Sequence, residues 1–256
     1  MWGRYASRRS EARYPTLWDG RIVGYCPSVT GPSGVRLYNL QESRYQAALT
    51  NLTAANGWQR SGGQYAIRTT GSDQSSISLP QSHVLVSREL SSNNMTFAAW
   101  LNPVSLNKRG ICSSGPALNQ PRFAVTILTN GKFEVYRGAN VTSSGSVSAG
   151  AWSHLAVVCL NNVTTIYING KLDSSASQTP IEPAQSTFLF AGNYWGPFEG
   201  FTDDFAVWHR ALSAGEIRLL SRRRGIAYEA RQQVFGEAAF RAYWARRQTQ
   251  LIGGGI

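Results

Sequence analysis

The chain has 256 residues, room for one large domain or two small ones, and 42% of them are hydrophobic, enough to build a core. No run of about 18 apolar residues occurs, so a soluble protein with no membrane partner is expected. The 25 Lys+Arg against 14 Asp+Glu leave a formal charge of +11, and only Lys108, Lys132 and Lys171 are lysines; arginine's planar fork suits bidentate pairing with carboxylates and phosphates.

Cys26, Cys112 and Cys159 are odd in number and show no C-x-x-C spacing, which excludes a disulfide framework and offers no metal or redox pair. Cys159 lies in the apolar run Ala156 to Leu160 and reads as a buried thiol. The start, Met1-Trp2-Gly3-Arg4-Tyr5, lacks the apolar stretch of a secretory signal. The Asn-x-Thr triplets at Asn51, Asn94, Asn140 and Asn162 then read as turn chemistry and not as glycan acceptors.

In chain order, an Arg-rich arm (1–19) precedes a long stretch, about 60 to 210, of short strands separated by turn signals, the pattern of an all-β sandwich. Trp100, in Thr96 to Leu101, and Trp152 supply large aromatic burial. The runs Thr126 to Tyr136 and Thr165 to Leu172 are hairpins around Asn130-Gly131 and Asn169-Gly170, read as two-residue type I′ turns. Asn161-Asn162 turns the chain between His154–Leu160 and the strand starting at Val163. Leu155 to Leu160 is apolar on both faces, so it belongs in the middle of a sheet covered on both sides.

The β pattern stops at Val207-Trp208. Ser213-Ala214-Gly215-Glu216 is a capping box opening a helix with Ile217 and Leu220 on one face. After Arg222-Arg223-Arg224 and Gly225, the composition of Ala227 to Gln248 favours a second helical segment, weakened at Gly236. The closing Gly253-Gly254-Gly255-Ile256 is expected to need a partner for order. Residues 1–19 carry net +2, 20–210 carry +4 and 211–256 carry +5, so the two ends hold seven of the eleven net charges. Three units are expected: an N-terminal arm (1–19), a sandwich (20–212), and a C-terminal helical or extended arm (213–256).

The order Tyr65-Ala66-Ile67, Ile77-Ser78-Leu79, Met95 to Leu101, Ala151 to Val157 and Tyr167 to Lys171, closed by Phe198 to Ile217, resembles the laminin-G-like, concanavalin-A-like jelly roll. Gly24 to Pro27 and Leu49 to Leu52 fit the first strand and turn of such domains, so the resemblance covers roughly 20 to 220. It implies an all-β, antiparallel two-sheet sandwich and says little of function, because the fold hosts lectins, adhesion modules, glycosidases and virion proteins. Leu17-Trp18-Asp19-Gly20 and Tyr243 to Gln248, running into Leu251 to Gly255, resemble the flanks of laminin-G-like structural proteins of tailed bacteriophages. That implies a virion component.

The glycosidases of this fold use an E-x-D-x-x-E strand, which is missing from this sequence. Asp203 and Asp204 are the only adjacent acids, and strand alternation sends them to opposite faces; in the family this position ties the last strand to neighbouring backbone. His83, His154 and His209 lie in no catalytic motif, and His154 is expected to be a packed, hydrogen-bonded imidazole. No enzyme and no cofactor is expected. Calcium stays unassigned, since Asp73 and Asp173 are expected in polar loops without a convergent ligand set.

The expected role is therefore a non-enzymatic capsid decoration or cement protein on the surface of a phage particle, made in the host cytoplasm. Its arms would bridge neighbouring shell subunits, binding the major capsid protein or other virion proteins, and it would self-associate, as a trimer. The N-terminal contacts assigned to partner binding are Trp2, Arg4, Tyr5, Arg8 and Arg9. The C-terminal ones are Arg222, Arg223, Arg224, Phe235, Phe240, Arg241, Tyr243, Trp244, Arg246 and Arg247. Nucleic acid is not the expected partner, for want of a groove-entering element or stacking platform. The alternative is a lectin-like module for host glycans, with Tyr194 and Trp195 stacking on a sugar ring.

Overall fold

The computed structural model describes residues 9–41, 46–71, 76–79, 93–107, 109–115, 123–179, 187–190, 196 and 198–230. Among them, two eight-stranded antiparallel sheets form a jelly-roll sandwich, with strands numbered along the chain. The first runs β14 (Lys171–Ser177), β13 (Val163–Ile168), β12 (Ser153–Leu160), β7 (Asn94–Pro103), β16 (Glu199–Trp208), β5 (Gln64–Thr70) and β4 (Trp58–Ser61). β1 (Arg21–Tyr25) also pairs with β16. The second runs β11 (Asn140–Thr142), β10 (Phe133–Tyr136), β9 (Phe123–Ile127), β8 (Arg109–Gly115), β15 (Thr187–Phe190), β6 (Ser76–Leu79), β3 (Ala47–Thr50) and β2 (Arg36–Leu37).

Period-2 alternation sends Ile67, Phe97, Leu155, Val157 and Phe205 of the first sheet against Ile111, Phe123, Val125, Phe133 and Val135 of the second. Phe97 meets Phe123 edge-on across the gap at 6.4 Å. Each such fully buried side chain contributes about 1.5–3 kcal/mol. β12 lies between β7 and β13, as its two apolar faces require. Leu155, Val157 and Cys159 face the sandwich, while Ala156 and Val158 face a second apolar cluster on the other side of the sheet. All three cysteines are buried and free.

The turns at Asn161-Asn162 and Asn169-Gly170 are tight, with positive φ at both residues of each. The Thr126 to Tyr136 hairpin departs from the expected two-residue turn. Ile127 pairs with Phe133, Leu128 N–H donates to Lys132 O, and only Gly131 is left-handed, at φ 75. A Cβ on Gly131 would sit 2.3 Å from the Val147 carbonyl, so the glycine also admits a neighbouring backbone.

The second apolar cluster is a third layer on the first sheet. Leu17, Trp18, Leu212, Ile217, Leu220, Ile226 and Tyr228 cover Ala98, Ala156, Val158, Ala206 and Trp208. The helix Ala214–Leu220 starts at the expected capping box: Ser213 Oγ accepts from Glu216 N–H at 3.3 Å and Glu216 Oε2 accepts from Ser213 N–H at 2.9 Å. Arg210 donates to Glu216 Oε1 at 2.6 Å and to the Asp19 and Thr16 carbonyls at 2.7 Å each. Trp208 Nε1 donates to Leu17 O at 2.9 Å.

The expected unit boundaries therefore do not fall at breaks in the packing among the described residues. Residues 9–19 and 213–230 are layered on the sandwich, because their apolar side chains find a ready face there. The second helical segment, expected from Ala227, also differs where it is described. Ile226–Tyr228 is one 3-10 turn, and Ala230 forms a β-bridge with Ala12. Pairing with the N-terminal segment, through Arg13 N–H to Glu229 O at 2.7 Å, replaces helical bonding there. The remainder of that segment, 231–248, and Gly253 to Ile256 lie outside the described residues.

Candidate functional site

The two adjacent acids lie under the third layer. Strand alternation would separate them, but β16 slips register against β7 between Asp203 and Ala206, and Asp204 takes φ 44. This bulge turns both carboxylates to the same side of the sheet, which corrects the expectation of opposite faces. Asp203 Oδ1 accepts from Ser28 N–H at 3.1 Å and from Asp204 N–H at 2.8 Å. Asp204 Oδ2 accepts from Gly225 N–H at 2.9 Å. The role the family resemblance implied, tying the last strand to neighbouring backbone, is the one they hold.

Two arginines balance the pair. Arg224, only 8% exposed, lies 4.1 Å above the Trp152 ring, donates to Ser61 O at 2.7 Å and reaches Asp203 Oδ2 at 3.4 Å. Trp152 Nε1 in turn donates to Ser61 Oγ at 3.1 Å. The Arg21 guanidinium lies against the rings of both Trp18 and Tyr228, at 4.3 and 4.6 Å, and its Nε donates to Gln41 at 2.9 Å. Burial raises the Asp203 carboxyl to about 6. Burial, and then the charge of Asp203, raise Asp204 to about 7. Burial also pushes up the neighbouring Cys26 thiol and the Tyr228 phenol.

Sealed under the layer and bonded to amides, these carboxylates work as a bolt joining β16, the turn at Ser28 and the segment at Gly225. A retaining glycosidase instead holds two carboxyl groups about 5–5.5 Å apart across a bound sugar linkage.

His154 is packed edge-on against Trp100 at 5.4 Å, and burial lowers its imidazole to about 3, so it is neutral. The expected hydrogen bond is not made by Nδ1, which has no partner among the described residues; the backbone N–H of His154 donates to Asn169 Oδ1 at 2.9 Å. Asp173 lies on β14, not in a loop, and accepts from Ser144 N–H at 2.7 Å and Gly145 N–H at 2.8 Å. It holds the chain after β11 to β14. Asp73 lies outside the described residues, among which no group of three or more His, Cys, Asp or Glu gathers.

Of the residues assigned to partner binding, Arg9, Arg222 and Arg223 are exposed. Arg9 pairs with Asp19 at 2.8 Å, and Arg223 pairs with Glu229. Arg224 departs from that assignment: Arg222 and Arg223 before it face solvent, but it turns inward to Asp203 because a buried carboxylate needs a counter-charge. Trp2, Arg4, Tyr5, Arg8, Phe235, Phe240, Arg241, Tyr243, Trp244, Arg246 and Arg247 lie outside the described residues, as do His83, Tyr194 and Trp195. Just after Tyr194 and Trp195 in sequence, Phe198 is fully buried between the sheets and Gly196 O accepts from Gly110 N–H at 2.9 Å.

The two ends of the described chain meet. Besides the Ala12–Ala230 bridge, Glu229 takes Arg13 from one end at 3.4 Å and Arg223 from the other, and Trp18 Nε1 donates to Ala227 O at 2.8 Å. Neither Arg13 nor Glu229 carried a local signal, since each is an ordinary surface charge until its partner is known.

Residues 69–218 match the family model described as the concanavalin A-like lectin/glucanases superfamily, of the laminin G type. The chain belongs to this family. No curated protein matches the sequence. Among solved structures, the concanavalin A-like fold is shared with domain 4 of AbnA, a GH43 extracellular arabinanase from Geobacillus stearothermophilus, in complex with arabinotriose. That match has 20% identity and a TM-score of 0.61, over 79% of this chain and 98% of that one. Trypanosoma rangeli sialidase is similar at 15% identity and a TM-score of 0.57, over 79% of this chain and 32% of the sialidase. The binding domain of Paraclostridial Mosquitocidal Protein 1 is similar at 17% identity and a TM-score of 0.61, over 80% of this chain and 52% of that one. The chain thus spans about a third of the sialidase and about half of the mosquitocidal domain. At such identities the likeness is one of fold.

Proposed function

We propose that this concanavalin A-like domain is a non-enzymatic structural protein of a phage particle, a capsid decoration or cement protein that displays its sandwich and holds the shell through its ends. The observation that supports this reading is the meeting of the two arginine-rich ends on one side of the fold, at Ala12 and Ala230. The engagement of the buried Asp203 and Asp204 carboxylates with backbone amides supports the non-catalytic part of it. The partner in this reading is the major capsid protein or another virion protein, and self-association as a trimer would multiply weak contacts on a symmetric lattice. Electron microscopy of intact particles with labelled protein tests it: regular density on the shell is expected, and label absent from every particle overturns it.

A second reading is favoured by one finding, that a similar domain of the arabinanase was solved with arabinotriose. In it, the chain recognises host-surface glycans, with Tyr194 and Trp195 as the stacking pair. A glycan array is the test, with reproducible binding that Trp195→Ala abolishes as the supporting outcome and no binding as the opposing one.

A further inference from the structure

We propose that two copies of this chain associate about a two-fold axis by pairing their β14 strands edge to edge, antiparallel, so that the first sheet runs on from one copy into the other. The inference goes beyond the particle reading and stands apart from it: alone the contact gives a dimer, and beside a three-fold contact it joins trimers in pairs. The two sheets end in β14, β4, β11 and β2, and on such strands alternate backbone N–H and C=O groups point away from the sandwich. β2 has two residues, β11 three and β4 four, and Arg36 and Arg60 stand exposed on β2 and β4. β14 has seven residues with no proline or glycine, and its backbone pairs with β13 alone among the described residues.

The side chains along β14 do not guard that edge. Asp173 is spent on the Ser144 and Gly145 amides, at 2.7 and 2.8 Å, and Lys171 stands at the first position. Leu172, Ser175, Ala176 and Ser177 are exposed and uncharged. Short length, outward charge and proline are what keep an edge from pairing with another chain, and this strand has little of any of them.

The pattern of the patch selects a second copy as the occupant. Of the six large hydrophobic side chains exposed among the described residues, three stand here: Leu172 at 64%, Leu160 at 45% and Val163 at 37%. Leu160 pairs with Val163 and Val163 with Ser177, so these two extend in a row from the end of β14. Leu172, at its start, pairs with Tyr167, four positions from Val163 on β13 and so on the same face of the sheet. An antiparallel copy reverses that order. It brings Leu172 of each chain to the Ser177 end of the other, where Val163 and Leu160 follow, and the same patch serves both chains, as a two-fold contact requires. It also keeps the two Lys171 ammonium groups at opposite ends of the pair, about 20 Å apart at the rise of an extended strand.

Sedimentation of the full chain over a concentration series, with hydrogen exchange at both ends of the series, tests this. The copies should associate in even numbers as concentration rises, and amides within 171–177 should exchange more slowly in the associated state. Leu172→Glu and Ser175→Lys, both at exposed positions, should each weaken association at least about tenfold, because each substitution enters a two-fold contact twice and sets like charges near one another. Val35→Glu, at an exposed residue beside β2 and away from β14, should change it by less than about twofold. Circular dichroism of each variant should match that of the parent. A chain that stays monomeric or stops at trimers at the highest concentration, association that leaves exchange of 171–177 unchanged, or association that folded Leu172→Glu and Ser175→Lys chains both retain would each overturn the proposal. A chain that pairs through β14 but joins no particle leaves the pairing standing and removes the virion reading.

Discussion

Trp18 and Ala227, 209 positions apart, are joined by an indole N–H donated to a buried carbonyl at 2.8 Å. The bond draws the segment after the last strand onto the segment before the first, and the Trp18 ring meets Tyr228 edge-on at 5.8 Å. Trp18→Phe should lose the bond at a cost of about 1 kcal/mol, and Trp18→Ala should cost about 3–5 kcal/mol. Urea denaturation reads both. Equal stability of Trp18→Ala and the parent would mean that the third layer adds nothing to the fold.

Hydrogen exchange should find the amide of Arg13 protected, because it donates to Glu229 O at 2.7 Å, together with those of Val157 and Cys159 in the central strand. Exchange of Arg13 at the rate of an open chain, in the free protein, would detach residues 9–19 from the sandwich.

Stability should fall as pH rises from about 4 to 7. Folding raises Asp203 to about 6 and Asp204 to about 7 from an ordinary 3.8, so the native state holds protons that the unfolded chain has released. This contribution is fully present below the unfolded value and is lost as pH passes through the folded ones; its size is on the order of a few kcal/mol. Asp204→Asn keeps an acceptor for Gly225 N–H and tolerates the left-handed backbone, so it should flatten the slope. Urea midpoints between about pH 4.5 and 8 provide the measurement, and a slope that the substitution leaves unchanged would disprove the assignment.

Arg224→Ala should destabilise by about 3–5 kcal/mol, since it leaves Asp203 buried without its partner. Arg222→Ala, at an exposed neighbour, should stay within about 0.5 kcal/mol. Similar losses at the two positions would contradict the inward turn of Arg224.

In particle-binding assays, Trp244→Ala should weaken attachment more than Arg247→Ala, because an exposed ion pair is worth only about 0–1 kcal/mol while aromatic anchors dominate interfaces. High salt should slow attachment more than it releases bound protein. Truncation at Arg231, which keeps every described contact, should abolish attachment; full occupancy by the truncated chain would transfer the contact to the sandwich.

The alternation that builds the sandwich, the tight turns at Asn161-Asn162 and Asn169-Gly170, the capping box at Ser213 and the central place of Leu155 to Leu160 were all legible in the sequence. Each depends on neighbours within a few positions, so a local pattern carries it. The fate of the charged residues was not. Asp203 and Asp204 share a face only because β16 bulges against β7, and Arg224 differs from Arg222 and Arg223 only in what lies beneath it. The meeting of the ends rests on contacts such as Arg13 with Glu229, 216 positions apart. A side chain's charge or ring is read locally, but its partner is chosen by the packing of distant segments, and only the folded chain makes that choice.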